Sequence, residues 1–117
     1  MKTREEALAY GLTFPDTYDD TPFHDTNWRL VRYKGNDKAF LWTYEMNGFI
    51  NINLKCDPEK AFFWREIYKS VIPAYHQNKK HWITVILDGS IPDSDIELVI
   101  AESYDLISDS PAKRIYE

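Results

Sequence analysis

A chain of 117 residues, 44% hydrophobic and 28% charged, has the make-up of one soluble globular domain able to hold a core without metal or disulfide help. Its net charge of −5 argues against a protein that coats nucleic acid indiscriminately. Its single cysteine, Cys56, excludes an intramolecular disulfide and any CxxC or Cys/His zinc pattern, and fits a reducing cytosol.

The amino-terminal MKTREEALAYGLTF has no apolar core of the signal-peptide kind. No apolar run approaches the roughly 20 residues needed to span a bilayer. A cytoplasmic location without membrane contact is expected. Thr3 and Glu6 form the T-x-x-E capping box, which predicts a helix from Arg4 with Leu8 and Leu12 on its buried face. Phe14-Pro15 stops it. Residues 15–26, PDTYDDTPFHDT, read as a polar loop.

Three strands follow. Trp28 to Lys34 is the first, and Lys38 to Glu45 is the second, with Phe40, Trp42 and Tyr44 on one face. Asn47-Gly48 is a type I′ hairpin signal. In the third strand, Phe49 to Lys55, Ile50, Ile52 and Leu54 face one way and Asn51, Asn53 and Lys55 the other. Asp57-Pro58 supplies N-cap and first turn of a second helix carrying AFFWREIYKS, with apolar residues on more than one side. Ala74-Tyr75-His76 reads as a short strand, Gln77 to Lys80 as a loop, and Trp82 to Leu87 as a strand. Pro92 opens a last helix whose Ile96, Val99, Ile100, Ser103 and Ile107 form one stripe. The tail SPAKRIYE reads as frayed. The order α-β-β-β-α-β-β-α implies a single two-layer α+β domain over residues 1–117, a mainly antiparallel five-stranded sheet with helices on one face. Ile50, Ile52, Leu54, Val85, Val99 and Ile100 are the expected core.

Four segments, NLKCDPE (Asn53 to Glu59), YHQNKKHW (Tyr75 to Trp82), LDGSIPD (Leu87 to Asp93) and ESYDLI (Glu102 to Ile107), resemble the signature blocks of the MmcQ/YjbR family in order and spacing. The likeness covers nearly the whole chain. The family pattern usually has Gly before the Tyr-His pair and Met after it, where this chain has Ala74 and Gln77. The resemblance implies a secretion-chaperone-like or frataxin-like α+β fold. It also implies the family's description as DNA-binding with a double-wing hairpin arrangement.

Charge is uneven along the chain. Residues 55–82 carry six basic and three acidic side chains, net +3, whereas residues 83–117 are net −6. Lys79 and Lys80 at a loop tip can reach phosphates, His76, Asn78 and His81 can donate to them, and Tyr75 and Trp82 can stack on an unpaired base. Lys55 extends the patch, with Lys60, Arg65 and Lys69 on the second helix. The same residues also read as a solvated turn with packed aromatic edges. His76 and His81 lack the i, i+4 spacing of helical metal ligands. Asp19 with Asp20, or Asp93 with Asp95, lie where loops and helix starts place acids anyway. No G-x-S-x-G, H-E-x-x-H or Gly-rich phosphate loop occurs. The sequence therefore predicts a non-enzymatic domain without metal or cofactor, with DNA or RNA as first partner. A protein partner at AFFW, or a small molecule in a pocket of Trp28, Trp42 and Trp82, are the alternatives.

Overall fold

The computed structural model describes residues 1–75 and 77–108. Helix α1 spans Arg4–Gly11, with strands β1 (Thr17–Asp20), β2 (Arg29–Tyr33), β3 (Ala39–Met46) and β4 (Phe49–Lys55) after it. Helix α2 (Pro58–Ile67), strands β5 (Val71–Pro73) and β6 (Trp82–Ile86), and helix α3 (Asp93–Ser108) complete the order. One antiparallel sheet runs β1-β2-β3-β4-β6-β5. Side chains of all three helices enter one core against one sheet face, among them Ala7, Ala61, Trp64, Ile96 and Ile100. The α+β two-layer expectation holds. No helix among the described residues is long and apolar enough to cross a membrane.

The sheet has six strands, not five. The extra strand, β1, lies in the stretch read as loop. It shows no apolar alternation because polar pairs hold this edge strand to its neighbour: Arg29 Nη2 to Asp19 Oδ2 at 2.9 Å and Arg32 Nε to Asp20 Oδ2 at 2.8 Å. Tyr18 also donates to Asp37 Oδ1 at 2.8 Å. The strand expected at residues 74–76 lies earlier, at Val71–Pro73, on the opposite edge. A proline is tolerated there because an edge strand leaves one side of its backbone unpaired. Ala74 and Tyr75 follow it outside any strand, and His76 and the tail from residue 109 lie outside the described residues.

Local signals account for most boundaries. The capping box forms, with Glu6 N donating to Thr3 Oγ1 and Thr3 N to Glu6 Oε1, both at 3.1 Å. The helix stops before Leu12, which is exposed rather than buried, and Gly11 takes the inward position instead. A side chain at Gly11 would meet Leu41 Cδ2 at 2.8 Å, so a glycine lets α1 lie close on the sheet. Asn47 and Gly48 both have positive φ, 55° and 82°, as the type I′ turn requires. Asp57 has N-cap backbone geometry but its side chain makes no capping hydrogen bond.

The Ile52/Leu54 face and the Val85, Val99 and Ile100 positions are buried as expected; Ile50 is only half-buried. Phe40 departs from its expected face. The β2–β3 register shifts between Val31 and Arg32, and this bulge turns Phe40 into the helix-side core beside Phe14 and Tyr104. Ser103 of α3 stitches this point: its hydroxyl donates to Phe40 O at 2.6 Å and accepts from Lys55 N at 2.9 Å.

Candidate functional site

Among the described residues all the helices lie on one face, which leaves the other face of the sheet open to a site. By alternation that face carries Leu30 of β2, Trp42 and Tyr44 of β3, Asn51 and Asn53 of β4 and Thr84 of β6. Two irregular segments fold over it. Residues 21–28 bring Phe23, Asp25 and Trp28, and the stretch after β5 brings Tyr75 and Gln77. Trp28 stacks on Tyr44 with ring centroids 4.4 Å apart, and Tyr75 stacks on Tyr44 at 5.6 Å. Trp28 and Trp42 meet edge to face at 6.3 Å, and Phe23 lies over Trp42 at the same separation.

Around them lies an open-mouthed cavity of about 440 Å³ lined by Phe23, Asp25, Trp28, Trp42, Asn53, Tyr75 and Gln77. That volume falls within the roughly 300–1,000 Å³ of small-molecule sites, and the composition matches their pattern of mainly aromatic walls with few polar groups. Trp42 Nε1 is buried and has no hydrogen-bond partner among the described residues.

One side chain organises the floor. Asn53 Oδ1 accepts from Tyr44 Oη at 2.9 Å and from Thr84 Oγ1 at 2.6 Å. Asn53 Nδ2 donates to Tyr75 O and to Gln77 Oε1, both at 2.8 Å. Thr84 Oγ1 in turn accepts from Tyr75 N at 3.0 Å. The backbone of Tyr75 is thus tied to the sheet at both its carbonyl and its amide. Burial pushes the Tyr44 hydroxyl above its ordinary pKa, so it stays a protonated donor. Gln77 stands where the family resemblance leads one to expect Met, and its amide oxygen is part of this network; a thioether accepts hydrogen bonds only weakly.

The expected basic and aromatic hairpin divides into separate parts. Tyr75 belongs to the ring cavity. Asn78, Lys79, Lys80 and His81 are exposed in a turn, where Asn78 Oδ1 accepts from Lys80 N at 2.8 Å. Lys55 and Trp82 face each other in the β4–β6 ladder, both half-buried. Trp82 packs against the helix-side core and does not line the ring cavity, so the expected trio of Trp28, Trp42 and Trp82 is corrected to Trp28 and Trp42 with Phe23 and Tyr75. Asn78 and Lys79 line a second, open depression of about 620 Å³ that shares Tyr75 and Gln77 with the first cavity. His76 lies outside the described residues.

Sequence reasoning missed Phe23, Asp25, Asn53 and Gln77. Phe23 carries a signal in hindsight, as the one large apolar residue in a long acidic loop. Asn53 was placed on the correct face, but its burial depends on segments 22 and 24 residues away in the chain.

Helix α2 turns Ala61 and Trp64 inward and leaves Phe62, Phe63 and Ile67 exposed, so the AFFW segment does present an aromatic edge. Cys56 is buried at the foot of α2. Burial first, then the Glu102 and Asp57 carboxylates, pushes its thiol up to about 11. The helix N-terminus does not prevail. A thiol is nucleophilic as the thiolate, so the folded protein should fail to react with an aromatic disulfide reagent at pH 7 over an hour, and should react fully once unfolded in guanidinium. Stoichiometric labelling of the folded protein within minutes would contradict this.

The YjbR family model matches residues 12–106. The chain is 40% identical over 82 residues to uncharacterized protein YbdF of Escherichia coli O157:H7, across 70% of this chain and 67% of that protein. It is 35% identical over 102 residues to uncharacterized protein YjbR of Escherichia coli strain K12, across 87% and 84%. The crystal structure of a Deinococcus radiodurans protein with a DUF419 domain superposes with a TM-score of 0.85 at 28% identity, covering 99% of this chain and 88% of that one. The fold and the sequence blocks thus lead to one assignment, and the chain belongs to the YjbR family.

Proposed function

We propose that this domain is a non-enzymatic binding module that takes a ligand with a flat ring into the cavity on the helix-free face of the sheet. The supporting observation is the four-ring wall of Phe23, Trp28, Trp42 and Tyr75 around about 440 Å³, with the Asn53 and Gln77 amides at its base. Stacking on such rings is worth roughly 0.5–1.5 kcal/mol per pair.

A second reading, of single-stranded nucleic acid, is favoured by the adjoining depression that Asn78 and Lys79 line. A strand would place one base among the rings and its phosphates beside Lys79 and Lys80. The two readings share a cavity and differ in what lies outside it.

Calorimetric titration with free indole and with a short oligothymidylate separates them. The proposal expects saturable binding of indole that falls about tenfold or more in Phe23→Ala, a loss of about 1.4 kcal/mol. Phe23 is 47% exposed, so its removal leaves the core intact. The Lys79→Ala, Lys80→Ala protein should bind indole as the parent does. If the strand reading holds, that double variant should bind the oligonucleotide more weakly and with a salt slope reduced by about 1.4 units, roughly 0.7 per lost single-strand phosphate contact. Absence of indole binding, or indole binding untouched by Phe23→Ala, would refute the cavity as the site.

A further inference from the structure

Resting on the ring-binding reading, we propose that the ligand is a cation: a ring that bears its own positive charge or carries an ammonium group. Among the described residues, Asp25 is the one charged side chain in the cavity wall. Its Oδ1 accepts from Asn27 N at 2.9 Å, and its carbonyl accepts from Trp28 N at 3.3 Å, so the turn that delivers Trp28 also holds the carboxylate. Asp25 enters no ion pair among the described residues.

The arginines nearby are engaged elsewhere. Arg29 and Arg32 are paired with Asp19 and Asp20, and Arg4 Nη2 donates to Asn27 Oδ1 at 2.9 Å. Asp25 also borders a polar depression that holds Lys2, Arg4 and Arg29, and none of them reaches it to form an ion pair. Among the described residues, no lysine or arginine lines the ring cavity itself. The faces of Phe, Trp and Tyr rings carry negative potential, so walls and carboxylate favour the same sign of charge. An anionic ligand meets no compensating cation among the described lining residues. The competing role for Asp25 is that of a turn residue alone, since Asp commonly closes such turns through its side chain. Asparagine supports the same turn, which makes Asp25→Asn a variant that removes charge and keeps the loop.

The test uses three probes built on one pyridine ring: 1-methylnicotinamide (cation), nicotinamide (neutral) and nicotinate (anion). Their affinities are measured by calorimetry for the parent and for Asp25→Asn. The cation should bind about tenfold more tightly than the neutral probe, and the anion weakest. In Asp25→Asn the neutral affinity should stay within twofold while the cation's advantage shrinks to about threefold or less. Equal binding of cation and neutral probe in the parent, an advantage unchanged in Asp25→Asn, or failure of the cation to bind while indole binds would overturn the cationic ligand and leave the ring cavity standing. Failure of indole to bind would remove the cavity reading itself.

Discussion

Replacing Asn53 by Leu should destabilise the domain by about 3 kcal/mol or more and release the segment after β5 from the sheet. The side chain is 1% exposed, and its amide satisfies four groups at once: the Tyr44 and Thr84 hydroxyls, the Tyr75 carbonyl and the Gln77 amide oxygen. Each buried polar group left without a partner costs about 1–3 kcal/mol, and an apolar isostere satisfies none of them. Some of the loss is recovered where Gln77 swings to solvent, which holds the figure below the full sum. Two readouts belong together. Urea unfolding should show the lower midpoint, and limited proteolysis should find residues 74–81 cleaved faster than in the parent. A loss below about 1 kcal/mol with unchanged proteolysis would mean that the network does not hold the cavity floor.

Ile52→Ala should cost about 2–5 kcal/mol, the range for large-to-small changes in a packed core. Ile52 is wholly buried and sits between Thr43 and Val85 in the middle three strands, so little can relax into the space its removal leaves. For a protein with a total stability of about 5–15 kcal/mol, this is a large share. The urea midpoint should fall with little change in slope, because the surface exposed on unfolding is nearly unaltered. A midpoint within experimental error of the parent would place Ile52 outside the core and contradict the β4 register.

The contrast between these neighbours explains how much the sequence can reveal. Ile52 announces itself through period-two alternation, and the capping box at Thr3, the Asn47-Gly48 turn and the α3 stripe are equally local signals. They fixed most elements and the family. The signal fails where partners are distant or polar. Strand β1 was hidden because Arg29 and Arg32 hold it through charge instead of apolar side chains. Alternation puts Phe40 on the wrong face because one bulge residue reverses it. The face of Asn53 is legible from alternation but its burial is not, since nothing within ten residues shows that Tyr75 and Gln77 return to cover it. The candidate site suffered most. Tyr75, Lys79 and Trp82 look like one surface in the chain, yet the fold sends Tyr75 into the ring cavity, Lys79 to the rim of a neighbouring depression and Trp82 against the helix-side core.

Four tryptophans offer the most direct test of the cavity as a ring-binding site. Trp28 and Trp42 line it; Trp64 and Trp82 contact the hydrophobic core without lining the cavity and serve as internal controls. A proton–nitrogen correlation spectrum of the four indole N–H groups, recorded as indole is titrated into the labelled protein, reads them separately. The Trp42 and Trp28 signals should move progressively and saturate together, because both rings line the cavity, while Trp64 and Trp82 stay in place. Unmoved Trp28 and Trp42 signals at millimolar indole, or movement centred on Trp64 or Trp82, would contradict the assignment of the site to this face of the sheet.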